Sequence, residues 1–126
     1  MSTRDPVDAS ANGPRILDEG SLSAAVAGDE VLKQELIELF LAECPRLMTR
    51  IRNALSTRDP EKLRRAADAL KSSATTVSAT RLVAATVAME RIGANKSLTG
   101  AAAVLAALEI EMASLVDALN TLKVKQ

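Results

Sequence analysis

Histidine is absent from all 126 residues. Without an imidazole no Ser-His-Asp or Cys-His triad can be assembled, and zinc or di-iron sites that depend on one are out of reach. Cys44 is the single cysteine, so no intramolecular disulfide can form. Its place among apolar residues marks it as a buried thiol in a reducing compartment. Aromatic residues are reduced to Phe40, and there are only five glycines and four prolines. A core must therefore be built from Leu, Ile, Val, Met and Ala, which favours packed helices over a sandwich or barrel, whose strands prefer aromatic and β-branched side chains. Net charge is missing too: sixteen basic and sixteen acidic residues cancel, which removes the electrostatic argument for a nucleic acid or an anionic membrane as partner. The longest apolar run, residues 101–108, is far too short to span a bilayer, and residues 1–15 lack the apolar stretch of a signal peptide. A soluble cytoplasmic protein without metal or cofactor is expected.

What is present is a series of amphipathic repeats within a length that suits one domain. Residues 1–15 combine Pro6, Gly13 and Pro14 with small polar residues and no periodicity, so a flexible tail is expected there and the folded domain over residues 16–126. Asp18 can cap a short helix, closed by Gly28, and Asp29 can cap the next. Leu32, Leu36, Phe40, Cys44, Leu47, Ile51 and Leu55 then follow a four-and-three spacing. The stripe keeps its phase across Pro45, which predicts one long helix bent at the proline. Asp59 and Pro60 form the next cap and first helical position. Ser78 or Thr80 can cap a helix carrying Leu82, Ala85, Met89 and Ile92, closed by Gly93. Thr99 can cap a last one with Ala101, Leu105, Leu108, Met112, Leu115, Leu119 and Leu122, fraying over residues 123–126. Two long and two shorter helices with brief connections predict an all-α fold, an antiparallel up-and-down four-helix bundle preceded by a short additional helix. A heptad seam serves an oligomer as well as a bundle; a monomer is expected.

The third of these helices holds the candidate site. In LRRAADALKSSATTV, residues 63–77, the positions Leu63, Ala67, Leu70, Ala74 and Val77 draw one apolar stripe. Asp68 lies ~140° from its centre and points to solvent. Arg64 and Arg65 stand one turn before it, and Lys71, Ser72 and Thr75 one to two turns after. One reading is a solvated helical charge network, worth a few tenths of a kcal/mol per pair. The other is a contact surface centred on Asp68.

The stretch RRAADALKSSATTVSATRL resembles the histidine-containing phosphotransfer (HPt) domain of bacterial multistep phosphorelays. That family's signature is a helix reading alanine, histidine, any residue, leucine, lysine, glycine, then small residues, a second glycine, alanine and a leucine-bearing helix. Ala67, Ala69, Leu70, Lys71, Ser73, Ala74, Ala79 and Leu82 stand where such residues belong. The opening ILDEGSLSAAVAGDEVLKQELIELFLAECPRL, the later MERIGA and the long final helix extend the likeness over residues 16–122. Asp68, however, occupies the place of the phosphorylated histidine, and Ser72 and Ser78 replace the two glycines.

In that family the imidazole takes a phosphoryl group from a receiver phosphoaspartate, a neighbouring lysine steadies its charge, and the glycine leaves room for the receiver. A carboxylate could replace the imidazole as acceptor only with help, such as the acid cluster with which receivers hold Mg²⁺. Besides Glu61 no second acid shares the Asp68 face, and one helix cannot wrap a divalent ion. The resemblance thus implies a phosphorelay protein that is not an enzyme. It would bind a response-regulator receiver domain or a sensor histidine kinase through Arg64, Arg65, Asp68, Lys71, Ser72 and Thr75. The alternatives are an ordinary phosphotransfer protein whose histidine has been replaced, and a structural or oligomerisation bundle with no receiver partner.

Overall fold

The computed structural model describes residues 16–125, so the expected tail at residues 1–15 lies outside the described residues. Among the described residues five helices follow one another: α1 (Glu19–Ala25), α2 (Glu30–Ser56), α3 (Pro60–Thr76), α4 (Thr80–Ala94) and α5 (Ala101–Lys125). The connections are three residues between α2 and α3, three between α3 and α4, and six between α4 and α5. Helices so joined can pack on one another only by running antiparallel. Each does pack on the next, α3 against α4 most extensively, and α2 meets α5 to close the ring. α1 lies across one end. The Asp18 amide donates to the Ser78 carbonyl at 2.9 Å, and Leu22 is fully buried beneath it. Ile16 and Leu17 pack against the same core.

Local signals start three of the helices where the sequence expects. Asp18, Asp29 and Asp59 each accept a hydrogen bond from the amide three residues on, at 3.0 Å, and Pro60 opens α3. Such caps contribute ~1 kcal/mol each. The other two starts differ from expectation. α4 is preceded by Ala79, whose side chain offers no cap, so Ser78 does not cap it and Thr80 is already its first residue. Before α5 the Gly100 carbonyl accepts the first intrahelical bond from Val104, while Thr99 is drawn into a local turn with Ser97. α5 also continues through Lys125, past the expected fraying point.

The stripes of α3 and α5 are buried nearly as their spacing predicts: Leu63, Ala67, Leu70, Ala74 and Val77 from one, Leu108, Met112, Leu115, Leu119 and Leu122 from the other. Each fully buried Leu contributes roughly 1.5–3 kcal/mol relative to exposure. Two stripes are rotated relative to the reading by spacing alone. At the start of α2, Lys33 and Ile37 are buried whereas Leu32 is exposed and Leu36 half-buried. α1 covers that side, and the Lys33 stem threads under it so that its ammonium reaches Glu30 and Ser23 Oγ, each at 3.4 Å. In α4 the buried line is Leu82, Thr86, Met89 and Gly93, with Ala85 and Ile92 only half-buried.

Gly93 does not close its helix; it lies inside it, against the backbone of α3. A Cβ there would stand 2.8 Å from both the Arg64 amide nitrogen and the Pro60 carbonyl oxygen. The absence of a side chain lets α4 approach α3 closely and turns the face of α4 that is buried.

Pro45 leaves α2 unbroken from Glu30 to Ser56. Having no N–H, it cannot bond the Leu41 carbonyl four residues back. The Cys44 thiol donates to that oxygen instead, at 3.7 Å. Burial pushes the thiol's pKa up, so Cys44 is a structural donor and not a reactive thiolate.

The turn after α3 passes through Ser78 at φ 60°, a left-handed conformation that glycine adopts without strain. Ser78→Gly is expected to stabilise the fold by about 0.5–1 kcal/mol, the relief of strain exceeding the added unfolded-state entropy. Chemical denaturation checks this, and an unchanged or lower midpoint would count against the strain.

Candidate functional site

The exposed face of α3 places Asp68 in mid-helix, its side chain 56% exposed. Its nearest cation is Lys71, whose Nζ is 3.6 Å from Asp68 Oδ1. The same ammonium donates to Glu90 Oε1 of α4 at 2.9 Å. The hydrogen bond to Glu90 is the main cause of a raised Lys71 pKa, with Asp68 adding to it. Lys71 therefore spans two carboxylates on neighbouring helices, and the trio carries a net charge of −1.

The two arginines do not surround Asp68. Arg64 Nε donates to Glu61 Oε1 at 3.2 Å, and Arg65 Nε lies 3.7 Å from Glu61 Oε2, so both turn back toward the start of the helix. The Arg64 hydrogen bond holds the Glu61 carboxyl below its usual pKa, and Glu61 in turn raises that of Arg64. An Asp68-centred network joining Arg64, Arg65 and Lys71 is thus replaced by two separate ones, because Glu61 offers both arginines a partner one turn away. Thr75 Oγ1 donates to the Lys71 carbonyl at 2.8 Å, which satisfies its proton within the helix. Ser72 is exposed beside Asp68, its carbonyl accepting from Thr76 Oγ1 at 3.0 Å.

These pairs set a pH window for stability. Lys71 gains affinity for its proton on folding, so its contribution is complete below its ordinary value of 10.5 and is lost as pH climbs through the raised folded value. Glu61 runs the other way, its contribution complete above 4.5 and lost as pH falls through the depressed one. Melting curves against pH should show a smaller alkaline loss in Glu90→Gln and a smaller acid loss in Glu61→Gln. Variants whose profiles superimpose on the parent would show that neither pair matters.

Helix α2 adds residues that spacing along α3 could not reveal. Ser73 Oγ donates to Glu43 Oε1 at 3.2 Å, joining the two helices. Beside Asp68 and Ser72 an open groove runs between them, lined by Pro45, Arg46, Ala69, Ser72 and Ser73. Beyond it Leu36, Leu39 and Phe40 face Thr76 and Val77, and Leu39 is 62% exposed. The surface is thus a carboxylate flanked by hydroxyls and small residues, with an apolar shoulder supplied by α2. Glu43, Glu90 and Leu39 belong to it and were missed, because each comes from a helix whose relation to α3 only folding defines.

Chemically the site offers one exposed carboxylate and one ammonium shared with a second acid. Among the described residues no group of three His, Cys, Asp or Glu side chains is placed to hold a metal ion. No helix among them is long and apolar enough to cross a membrane.

Comparison with known proteins bears on this arrangement at the level of the domain. Residues 35–120 match the Hpt domain. Among solved structures the chain is similar to histidine-containing phosphotransfer protein B (HptB) from Pseudomonas aeruginosa PAO1. That likeness has a TM-score of 0.83 at 19% identity and covers 90% of this chain and 99% of that one. No curated protein sequence matches the chain at a significant level. With the domain match spanning well over half of the residues, and a five-helix bundle of the same shape beneath it, the chain belongs to the Hpt domain family of phosphorelay signal transduction.

Proposed function

We propose that this Hpt domain has lost phosphotransfer and works, as a monomer, as a binding adaptor or competitor in a phosphorelay. The observation that carries the reading is an Hpt-domain match across a chain without a single histidine. No phosphoramidate on an imidazole can form. In the resemblance described above, the acceptor position falls on Asp68, an exposed carboxylate with no base beside it and no second acid free to help bind a metal. An acyl phosphate formed there would have Lys71 as its one cation in ion-pair contact, and Lys71 is already shared with Glu90.

Domains of this family interact with kinases and receivers, and the Asp68 face with its α2 shoulder is the surface we assign to such a partner. Exposed Leu39 provides apolar area, Ser72 and Thr75 provide small polar contacts, and Asp68 selects a partner that presents a cation opposite it. Incubation with phosphorylated receivers and with a histidine kinase plus ATP tests both halves of the proposal. The expected outcome is a complex without label on this chain. Label on this chain, cleaved by base and hydroxylamine as an acyl phosphate is, would overturn the loss of transfer, and failure to bind any receiver or kinase from the same genome would overturn the adaptor role.

A further inference from the structure

We infer that the furrow between the C-terminal half of α2 and the N-terminal half of α3 is a docking groove for an acidic polypeptide segment of a partner protein. It is an open groove of about 390 Å³ with Arg50, Lys62 and Arg65 on its rim, Asn53 beside them and Ala54 and Ala66 in its floor. Residues 46–65 hold seven basic residues against two acids, in a chain whose overall charge is zero. Both acids are already engaged: Asp59 caps α3 through the Lys62 amide, and Glu61 is taken by Arg64. Arg52 is neutralised by Glu109 of α5. Arg50 and Lys62, together with Arg58 in the adjoining turn, have no acidic partner among the described residues.

Positive charge is therefore concentrated here and left uncompensated, while most other cations in the bundle are paired. Arg and Lys on opposite walls of a narrow furrow suit carboxylates spaced along one chain, and Asn53 can donate to its backbone carbonyls. Nucleic acid fits less well, because no aromatic side chain is exposed to stack on a base; Phe40 is buried. A membrane surface fits less well again. The groove is concave, its floor is alanine, and none of the exposed large apolar residues Val31, Leu32, Leu39 and Ile110 lines it.

The inference does not rest on the loss of phosphotransfer: Lys62 lies outside the Asp68 surface, while Arg50 borders both this groove and the one beside Ser72. A fluorescein-labelled octaglutamate peptide, followed by polarisation at low ionic strength, provides the test. Arg50→Glu/Lys62→Glu is expected to weaken binding roughly tenfold or more. The control Arg91→Glu/Lys123→Glu makes the same change in net charge at exposed positions away from the groove, and should weaken it less than about threefold. Asp68→Ala removes a negative charge and no cation of the groove, so it should not weaken peptide binding, and a loss confined to Arg50→Glu/Lys62→Glu is told apart from a failure of the Asp68 surface. Far-ultraviolet circular dichroism confirms that each variant keeps its helices. Equal loss in the two double variants would overturn the groove, as would tighter binding of a duplex oligonucleotide or a phosphatidylserine vesicle through Arg50 and Lys62.

Discussion

Asp68→His is expected to convert a chain that takes up no label from a phosphorylated receiver into one labelled roughly tenfold or more above background. The position is exposed in mid-helix, where an incoming phosphoaspartate meets no covering side chain. An exposed imidazole is largely neutral above pH 7 and so is available as a nucleophile. Lys71 already brings its ammonium to 3.6 Å from the side chain at this position, where it would meet charge developing on the transferred group. Replacing the carboxylate also removes a like charge from the approach of that group.

Adding Ser72→Gly should raise transfer further by clearing a hydroxyl from the path of the partner, while costing about 0.5 kcal/mol of helix stability. The product is identified as a phosphoramidate by loss of label in acid and retention in base. If neither variant accepts label from any receiver of the same genome, the assignment of this face to a receiver is wrong. Should the parent chain itself take up label, the non-catalytic reading is wrong.

Gly93→Ala is expected to destabilise the bundle by about 2 kcal/mol, lowering the melting temperature by roughly 8 °C. The new Cβ would meet the Arg64 amide nitrogen and the Pro60 carbonyl oxygen at 2.8 Å, and both are backbone atoms in the first turns of α3. Such atoms cannot swing aside as a flexible side chain does. Separating α4 from α3 would open the most extensive helix pairing in the molecule. The better helix propensity of alanine, ~1 kcal/mol, offsets only part of that. Thermal melts and denaturant titrations read the effect. A variant as stable as the parent would show that α3 and α4 can separate without loss, contrary to the packing described here.

Gly93 also illustrates why the buried face of α4 was not legible in the sequence. A glycine near the end of an apolar periodic stretch has the form of a helix stop, and nothing local separates that role from close packing. Only its contact with α3 reveals that it is a packing residue. Once α4 lies that close, Thr86 and Gly93 move to the centre of its buried face and Ala85 and Ile92 to the edges. Lys33 is a similar case. A lysine inside an apolar stripe reads as an outward residue, yet α1 covers it and provides Ser23 Oγ for its ammonium.

The candidate site divides in the same manner. Asp68 was recognisable as exposed because helical periodicity alone fixes which way it points. Its partners were not. By spacing, Arg64, Arg65 and Lys71 are equally able to reach it, and the outcome turned on competition from Glu61 along α3 and Glu90 across the interface.

By itself the sequence determined the number, order and type of the helices, the aspartate caps that start three of them, the outward aim of Asp68 and the lack of an imidazole for phosphoryl chemistry. These follow from composition and from interactions within one turn of helix, which the chain makes wherever it lies. Tertiary structure alone decided which residues of α2 and α4 are central to the core, how Lys71 is shared, the apolar shoulder that α2 adds beside Asp68, and the gathering of Arg50, Lys62 and Arg65 around one groove. Each of these depends on the distance and rotation between two helices. Those are set by the volumes that meet at each interface, as the space left empty at Gly93 does between α3 and α4, and no single-helix pattern encodes them.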